Sequence, residues 1–213
     1  MRYPVLPLLL IAAGLALGGC KIVPDAPEGE AAIPEDASGD AVRNTMRVEE
    51  TFASQLLPHV AETALPVADL RTALAGGLDA AGDAHGHRGA GAGSAWNFAV
   101  AGEGVAVEAK LDTRARKVML DTDGDAQADV TLQLGPVIAG TALRDVAPFY
   151  NFDDFRDQIE FANLGRALND AVNEVLVVPE GDLVGKTIAF TGVVPLRSAS
   201  EDWKVTPTEI EVR

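Results

Sequence analysis

Cysteine occurs once in this chain of 213 residues, so no intramolecular disulfide is available and packing alone must hold the fold. Aromatic residues make up only 5% of the chain, and 17 lysines and arginines face 32 aspartates and glutamates. A formal net charge of −15 without stacking rings or a basic stripe excludes nucleic acid as a partner. Histidine is limited to His59, His85 and His87. No Ser-His-Asp order, activated cysteine or paired-carboxylate pocket can be assembled, so the chain reads as a non-enzyme. Long hydrophobic runs are missing as well. Val5 to Leu17 is apolar but too short to span a bilayer as a stable helix. What remains is ordinary globular composition, 47% hydrophobic and 23% charged, enough for one well-buried core.

The apolar run follows a weak positive region at Arg2 and ends in Leu17-Gly18-Gly19-Cys20. Small residues before a lone cysteine resemble the bacterial lipoprotein box. An ordinary signal peptide with a chance cysteine is the alternative. The resemblance implies cleavage after Gly19 and a Cys20 carrying diacylglycerol and an N-acyl chain. More than one chain is what stable anchoring requires. In Gram-negative lipoproteins an Asp after the cysteine resembles an inner-membrane retention signal; Lys21 stands there instead, which favours the outer membrane. Removing Arg2 with residues 1–19 takes the formal charge from −15 to −16. Such an acidic protein should repel anionic lipid heads beyond its own anchor.

Four segments follow: a signal peptide at 1–19, a lipid-anchored tether at 20–39, a helical part at 40–94 and a barrel domain at 95–213. The tether is rich in Pro, Ala, Glu and Asp and has no apolar period. Asp40 reads as the cap of a helix whose apolar face is Val42, Met46, Phe52, Leu56 and Val60, kinked or ended at Pro58. A second helix begins near Pro66 with Val67, Leu70, Leu74 and Leu78 inward. It ends in a glycine-rich loop holding His85 and His87. Two histidines are half a metal site; with no further His or Cys nearby in sequence, the expectation is a solvated loop.

From Trp96 the period becomes two. Trp96, Phe98 and Val100 are apolar on even positions; Val105, Val107, Ala109 and Leu111 on odd ones. That places a bulge or tight turn at Gly102-Glu103-Gly104. Further strands are expected with Val118 and Leu120 inward, then with Val130, Leu132 and Leu134 inward. After a long helix, Ile188, Phe190, Val194 and Leu196 alternate, and a last strand slips phase at Pro207. Three strands, a helix and two strands is the order of a five-stranded OB-like antiparallel barrel, with a long helix between strands 3 and 4 and N-terminal helices beside it: mainly β with helices, α+β. An open antiparallel sheet with helices on one face is the alternative.

Between the second and third strands lie Asp121, Asp123, Asp125 and Asp129 around Gly124. Alternating carboxylates around a glycine fit a hairpin turn and also an oxygen cage for calcium. The string resembles the aspartate-rich loops of dockerin and thrombospondin type 3 repeats, but the twelfth position is Leu132, a core residue, so it is not an EF-hand. The long helix is expected to start behind Asn151 with Asp154 as capping partner, and to bury Phe152, Phe155, Ile159, Leu164, Leu168 and Val172. Gly165 marks a bend or a close approach. Arg144, Asp145, Asn151, Gln158 and Asn169 form a polar cluster: a pocket mouth for a polar ligand, or a structural tie built on the Arg-Asp pair.

Gly19-Cys20-Lys21-Ile22-Val23, the run GPVIAGTALRD from Gly135 to Asp145, Phe152 to Asn169 and the VTP of Val205 to Pro207 together resemble a family of predicted periplasmic lipoproteins, domain of unknown function 2291. The resemblance implies a small OB-like barrel with added helices on a lipid anchor, in the neighbourhood of ATP-binding-cassette sugar-transporter components, and no assigned catalytic residues. Two functions follow as expectations. One is an accessory or scaffold protein for sugar uptake or other envelope proteins. The other is a small-ligand module. For a sugar it would need a stacking ring, and Trp96, Tyr150 and Trp203 are the candidates.

Overall fold

The computed structural model describes residues 32–213 except positions 90, 92 and 179. Cys20 and the signal run lie outside the described residues. From Ile33 to Arg213 the chain forms one compact unit. The folded body therefore starts before residue 40. Asp36 accepts from the Ser38 amide and caps a 3-10 turn over Ala37–Gly39, ahead of α1 (Asp40–Thr51).

Pro58 neither ends nor breaks this first helix. Proline lacks an N–H and its ring clashes with the carbonyl four residues back. The helix widens into a π turn over Phe52–Leu56, where the Leu57 amide reaches Phe52 O, and continues as α2 (Leu57–Thr63). The buried side of α1 is also not the expected one. Val42 and Met46 are 47% and 51% exposed, whereas Asp40 and Asn44 are buried. Ionic contacts to Arg156 and Glu160 at the start of the long helix set the rotation of α1. Next come β1 (Leu65–Pro66), α3 (Val67–Ala75), α4 (Leu78–His85) and β2 (His87–Arg88), two helices in place of the one expected.

The barrel strands are β3 (Trp96–Lys110), β4 (Ala115–Asp121), β5 (Val130–Pro136), β6 (Thr187–Leu196) and β7 (Trp203–Val212). Neighbours run β3-β4-β5-β7-β6, and β6 pairs back onto β3 from Trp96↔Leu196 to Val105↔Thr187, closing the barrel. Closure leaves no free edge between these strands. One pairing departs from the antiparallel expectation: β5 and β7 run parallel over Val130–Leu132 and Trp203–Val205. Successive strands still alternate in direction, but the crossover through the long helix places β6 beside β3, so β7, which runs the same way as β5, becomes its neighbour.

The register slip in β3 lies further along than Gly102-Glu103-Gly104. The ladder to β6 is unbroken there, and the shift falls between Ala106 and Glu108 against β4. Ala106 is buried and Val105 is 43% exposed, the reverse of the expected phase. The glycines permit close approach instead. A Cβ on Gly102 would meet Val67 Cγ2 at 2.7 Å, and one on Gly104 would meet Asp121 O at 2.5 Å. The slip at the end of the barrel is where expected, with Gly192 opposite Pro207 and Thr191 opposite Glu209.

Two cores result. The barrel interior is filled by Phe98, Leu120, Leu132, Ile188, Leu196 and Val205, and Val67, Leu70 and Leu74 of α3 complete the same cluster. The second core joins Leu56 and Val60 to α5 (Ala142–Asp145) and α6 (Gln158–Val175), and packs on Ala99 and Val193 of the barrel wall. The long helix therefore packs on the outside of the barrel. It buries Phe161, Leu164, Leu168 and Val172 outside the barrel. Each such side chain contributes on the order of 1.5–3 kcal/mol. Its start differs too: Asp157 Oδ1 accepts from the Ile159 and Glu160 amides and caps α6, while Asn151 precedes only a 3-10 turn over Phe152–Asp154. Starting at residue 158 rotates Ile159 outward, 66% exposed. Gly165 is a close approach, since a Cβ there would meet Thr141 Cγ2 at 2.8 Å.

Candidate functional site

The three histidines, apart in sequence, line one cleft of about 400 Å³ with Thr63, Gly86, Asn97, Val146 and Pro148. Three local structures bring them there. α2 carries His59 across the barrel wall. α4 ends at His85, where the Gly86 amide closes onto Gly82 O at 2.8 Å. The chain then turns extended, and β2 pairs His87 with Asn97 of β3. Sequence spacing showed His85 and His87 as neighbours; His59 joins them only through tertiary packing.

Two of the rings are held by main-chain carbonyls of adjacent residues at the end of α5. His87 Nδ1 lies 2.7 Å from Asp145 O, and His59 Nε2 lies 3.2 Å from Val146 O. His59 also meets the Phe149 ring edge-on at 6.1 Å. Asn97, buried in β3, donates its amide to His87 O at 3.2 Å and to Ala95 O at 3.1 Å. Among the described residues no group donates to its Oδ1. His85 is exposed.

The polar cluster around Arg144 has a different character. Arg144 is buried and its donors are engaged: Nε to Asp145 Oδ1 at 2.7 Å and Nη1 to Phe161 O at 3.0 Å. Its guanidinium lies 3.7 Å from the Phe161 ring centroid. Asp145 also accepts from Thr141 Oγ1 at 2.6 Å. Arg144 and Asp145 thus tie α5 to α6 and, through the Asp145 carbonyl, to His87. Asn151 and Gln158 are exposed and join neither. Asn169 instead donates to Gly140 O at 3.0 Å.

The aspartate loop closes on itself. Asp121 Oδ1 accepts from the Gly124 amide at 2.7 Å and Oδ2 from the Ala126 amide at 2.9 Å. The Gly124 bond leads the contacts that hold the Asp121 carboxyl below the usual carboxylate range. Carboxylate oxygens of Asp121, Asp123 and Asp129 lie within 4.8 Å of one another, while Asp125 turns to the Gln127 amide at 2.8 Å. Arg71 pairs with Asp129 at 2.9 Å and neutralises part of that charge. With Asp121 held by main-chain amides and Asp129 by Thr122 and Arg71, the loop should need no ion. We expect the same melting temperature in excess calcium as in chelator. A rise with calcium that Asp123→Asn abolishes would show a cation site instead.

None of the three candidate sugar platforms offers an unengaged ring. Arg88 stacks 4.4 Å over Trp96, whose Nε1 donates to Asp79 at 3.0 Å. Tyr150 is buried against Phe149 at 4.7 Å, and Arg71 sits 5.5 Å from Trp203.

Sequence reasoning missed the most heavily charged buried group. Glu160, 1% exposed on α6, accepts from Arg43 Nε at 2.7 Å, Arg47 Nη1 at 3.0 Å and the Arg156 amide at 2.8 Å. Burial pushes its carboxyl upward, but the Arg43, Arg156 and Arg47 bonds outweigh it and bring it down to about 2. Asp40 binds Arg43 and also takes Arg156 Nη2 at 2.8 Å. Asn44 donates to Glu160 O at 2.9 Å. This network locks α1 onto the start of α6 and explains why α1 turns Asp40 and Asn44 inward. The available signal was Asp40, Arg43 and Arg47 at helical spacing on an otherwise acidic chain.

A crystal structure of an OB-fold protein from Thermotoga maritima is similar to this fold, with a TM-score of 0.56 and 19% identity over 81% of this chain and 96% of that one. It supports the barrel assignment alone. No curated protein matches the sequence. The family model for predicted periplasmic lipoproteins, domain of unknown function 2291, matches residues 10–211, nearly the whole chain. This chain, a closed five-stranded barrel with appended helices that matches the family over nearly its whole length, belongs to the predicted periplasmic lipoproteins of domain of unknown function 2291.

Proposed function

We propose that this protein is a lipid-tethered periplasmic binding module that receives a small ligand in the histidine cleft. The observation that carries this reading is the gathering of all three histidines and the buried Asn97 on one concavity, while Arg144 and the aspartate loop are internally satisfied. Cleft lining of mixed imidazole, amide and aliphatic character is what small-molecule sites have. In this reading Cys20 carries the acyl chains, the residues behind it form the leash, and Lys21 favours the outer membrane.

A thermal-shift screen of sugars, amino acids, small carboxylates and metal ions tests it. A ligand at a hundred times its Kd stabilises by about 2.7 kcal/mol. For a domain of this size that raises the melting temperature by roughly 5–10 °C. A screen in which no class stabilises the protein overturns the reading. A second reading, an envelope scaffold working with a sugar-uptake system or another assembly, draws on Val42 and Met46, exposed four residues apart on α1. Crosslinking in whole cells that recovers a partner through Met46 would favour it.

A further inference from the structure

We propose that the cleft is a transition-metal site, in which His59, His85 and His87 offer ring nitrogens to a late first-row divalent ion such as zinc, nickel or copper. This rests on the cleft being the binding site and names its ligand class.

The argument begins with proton positions. A carbonyl oxygen only accepts, so the ring nitrogen facing it must carry the hydrogen. His87 Nδ1 faces Asp145 O at 2.7 Å and His59 Nε2 faces Val146 O at 3.2 Å. In the neutral rings the lone pairs therefore sit on His87 Nε2 and His59 Nδ1. Donation of the second ring N–H to a main-chain carbonyl is the arrangement that orients metal-binding histidines. Here two successive carbonyls orient two rings from different elements.

An ion would have to draw the rings together, and His85 is the ring with the fewest restraints. The histidine nitrogens do not form a set closing within 4.8 Å; among the described residues only the aspartate trio does. His85 is exposed at the end of α4 and makes no hydrogen bond to a described residue, so rotating its side chain costs little. Asn97 Oδ1 adds an oxygen donor on the same wall. Neighbouring cations do not compete, since Arg144 is engaged by Asp145 and Arg88 by Asp79. Imidazoles select zinc, nickel and copper over calcium and magnesium, which distinguishes this site from the carboxylate loop. Three imidazoles on an ion leave a coordination position open, and a cleft of about 400 Å³ has room for a small anion or water there.

Isothermal titration of the full-length protein in detergent with zinc, nickel and calcium salts tests the proposal. One zinc or nickel ion should bind per chain. His85→Ala and His87→Ala should each weaken binding by more than about tenfold, and Asp123→Asn should leave it unchanged. Cobalt should give a visible d–d absorption that His85→Ala removes. His85 is exposed, so its variant folds and the comparison holds even if His87→Ala destabilises the protein. Equal affinity in the wild type and His85→Ala overturns the metal assignment. If no metal binds but a compound from the thermal-shift screen does, and His87→Ala weakens it, the ion is wrong and the binding module stands. If neither binds, both fall.

Discussion

Cys20→Ser is expected to move the protein from the detergent phase to the aqueous phase on cloud-point partitioning. Each buried methylene contributes about 0.8 kcal/mol to membrane attachment, and two or more acyl chains make anchoring stable. Removing the sulfur that would carry them removes that whole contribution at once. Among the described residues no helix is long and apolar enough to cross a membrane. Cys20 lies outside the compact unit that runs from Ile33 to Arg213. The wild type should also show a mass increase on the Cys20 peptide that the variant lacks. A Cys20→Ser protein that stayed in detergent would overturn anchoring through this residue.

Glu160→Ala should lower stability by about 3 kcal/mol, the low end of the cost of breaking a buried ion pair, because the Arg43 and Arg47 left behind are partly exposed. For a domain of this size the melting temperature falls by roughly 6–12 °C. The loss is large because three donors converge on one carboxylate that is 1% exposed. Urea unfolding monitored by Trp fluorescence measures it.

The same carboxyl makes stability depend on pH. Its folded value of about 2 lies below the ordinary 4.5, so the folded state releases the proton more readily than the unfolded one. The stabilisation is complete above about pH 4.5 and is lost as pH falls toward 2. At about 1.4 kcal/mol for each pH unit of displacement, it amounts to roughly 3 kcal/mol. Glu160→Gln should be less stable at neutral pH and should flatten the acid limb between pH 4.5 and 2. An acid limb as steep in the variant as in the wild type would assign the transition to other carboxylates.

The barrel strands were legible because period two is a local property. Val118, Leu120, Val130, Leu132 and Leu134 are inward as their alternation requires. The slip in β3 was misplaced because glycine signals both a bulge and a close approach, and only the neighbours Val67 and Asp121 O distinguish the two. The orientation of α1 was misread for a related reason. Periodicity ranks Val42 and Met46 above Asp40 and Asn44, but Glu160 and Arg156 draw the polar pair inward. For α6, the cap expected at Asn151 lies six residues before Asp157, whose side chain meets the free amides and sets the helical phase.

The sequence by itself determined the family, the order of strands and helix, the inward rows of the barrel and the solitary cysteine behind an apolar run, since each is written in neighbouring residues or in their spacing. The tertiary structure decided which helix joins the barrel core, which face of α1 is buried, and that His59 shares a cleft with His85 and His87. Those outcomes depend on contacts between residues far apart in the chain, where one buried carboxylate or two adjacent carbonyls outweigh local pattern.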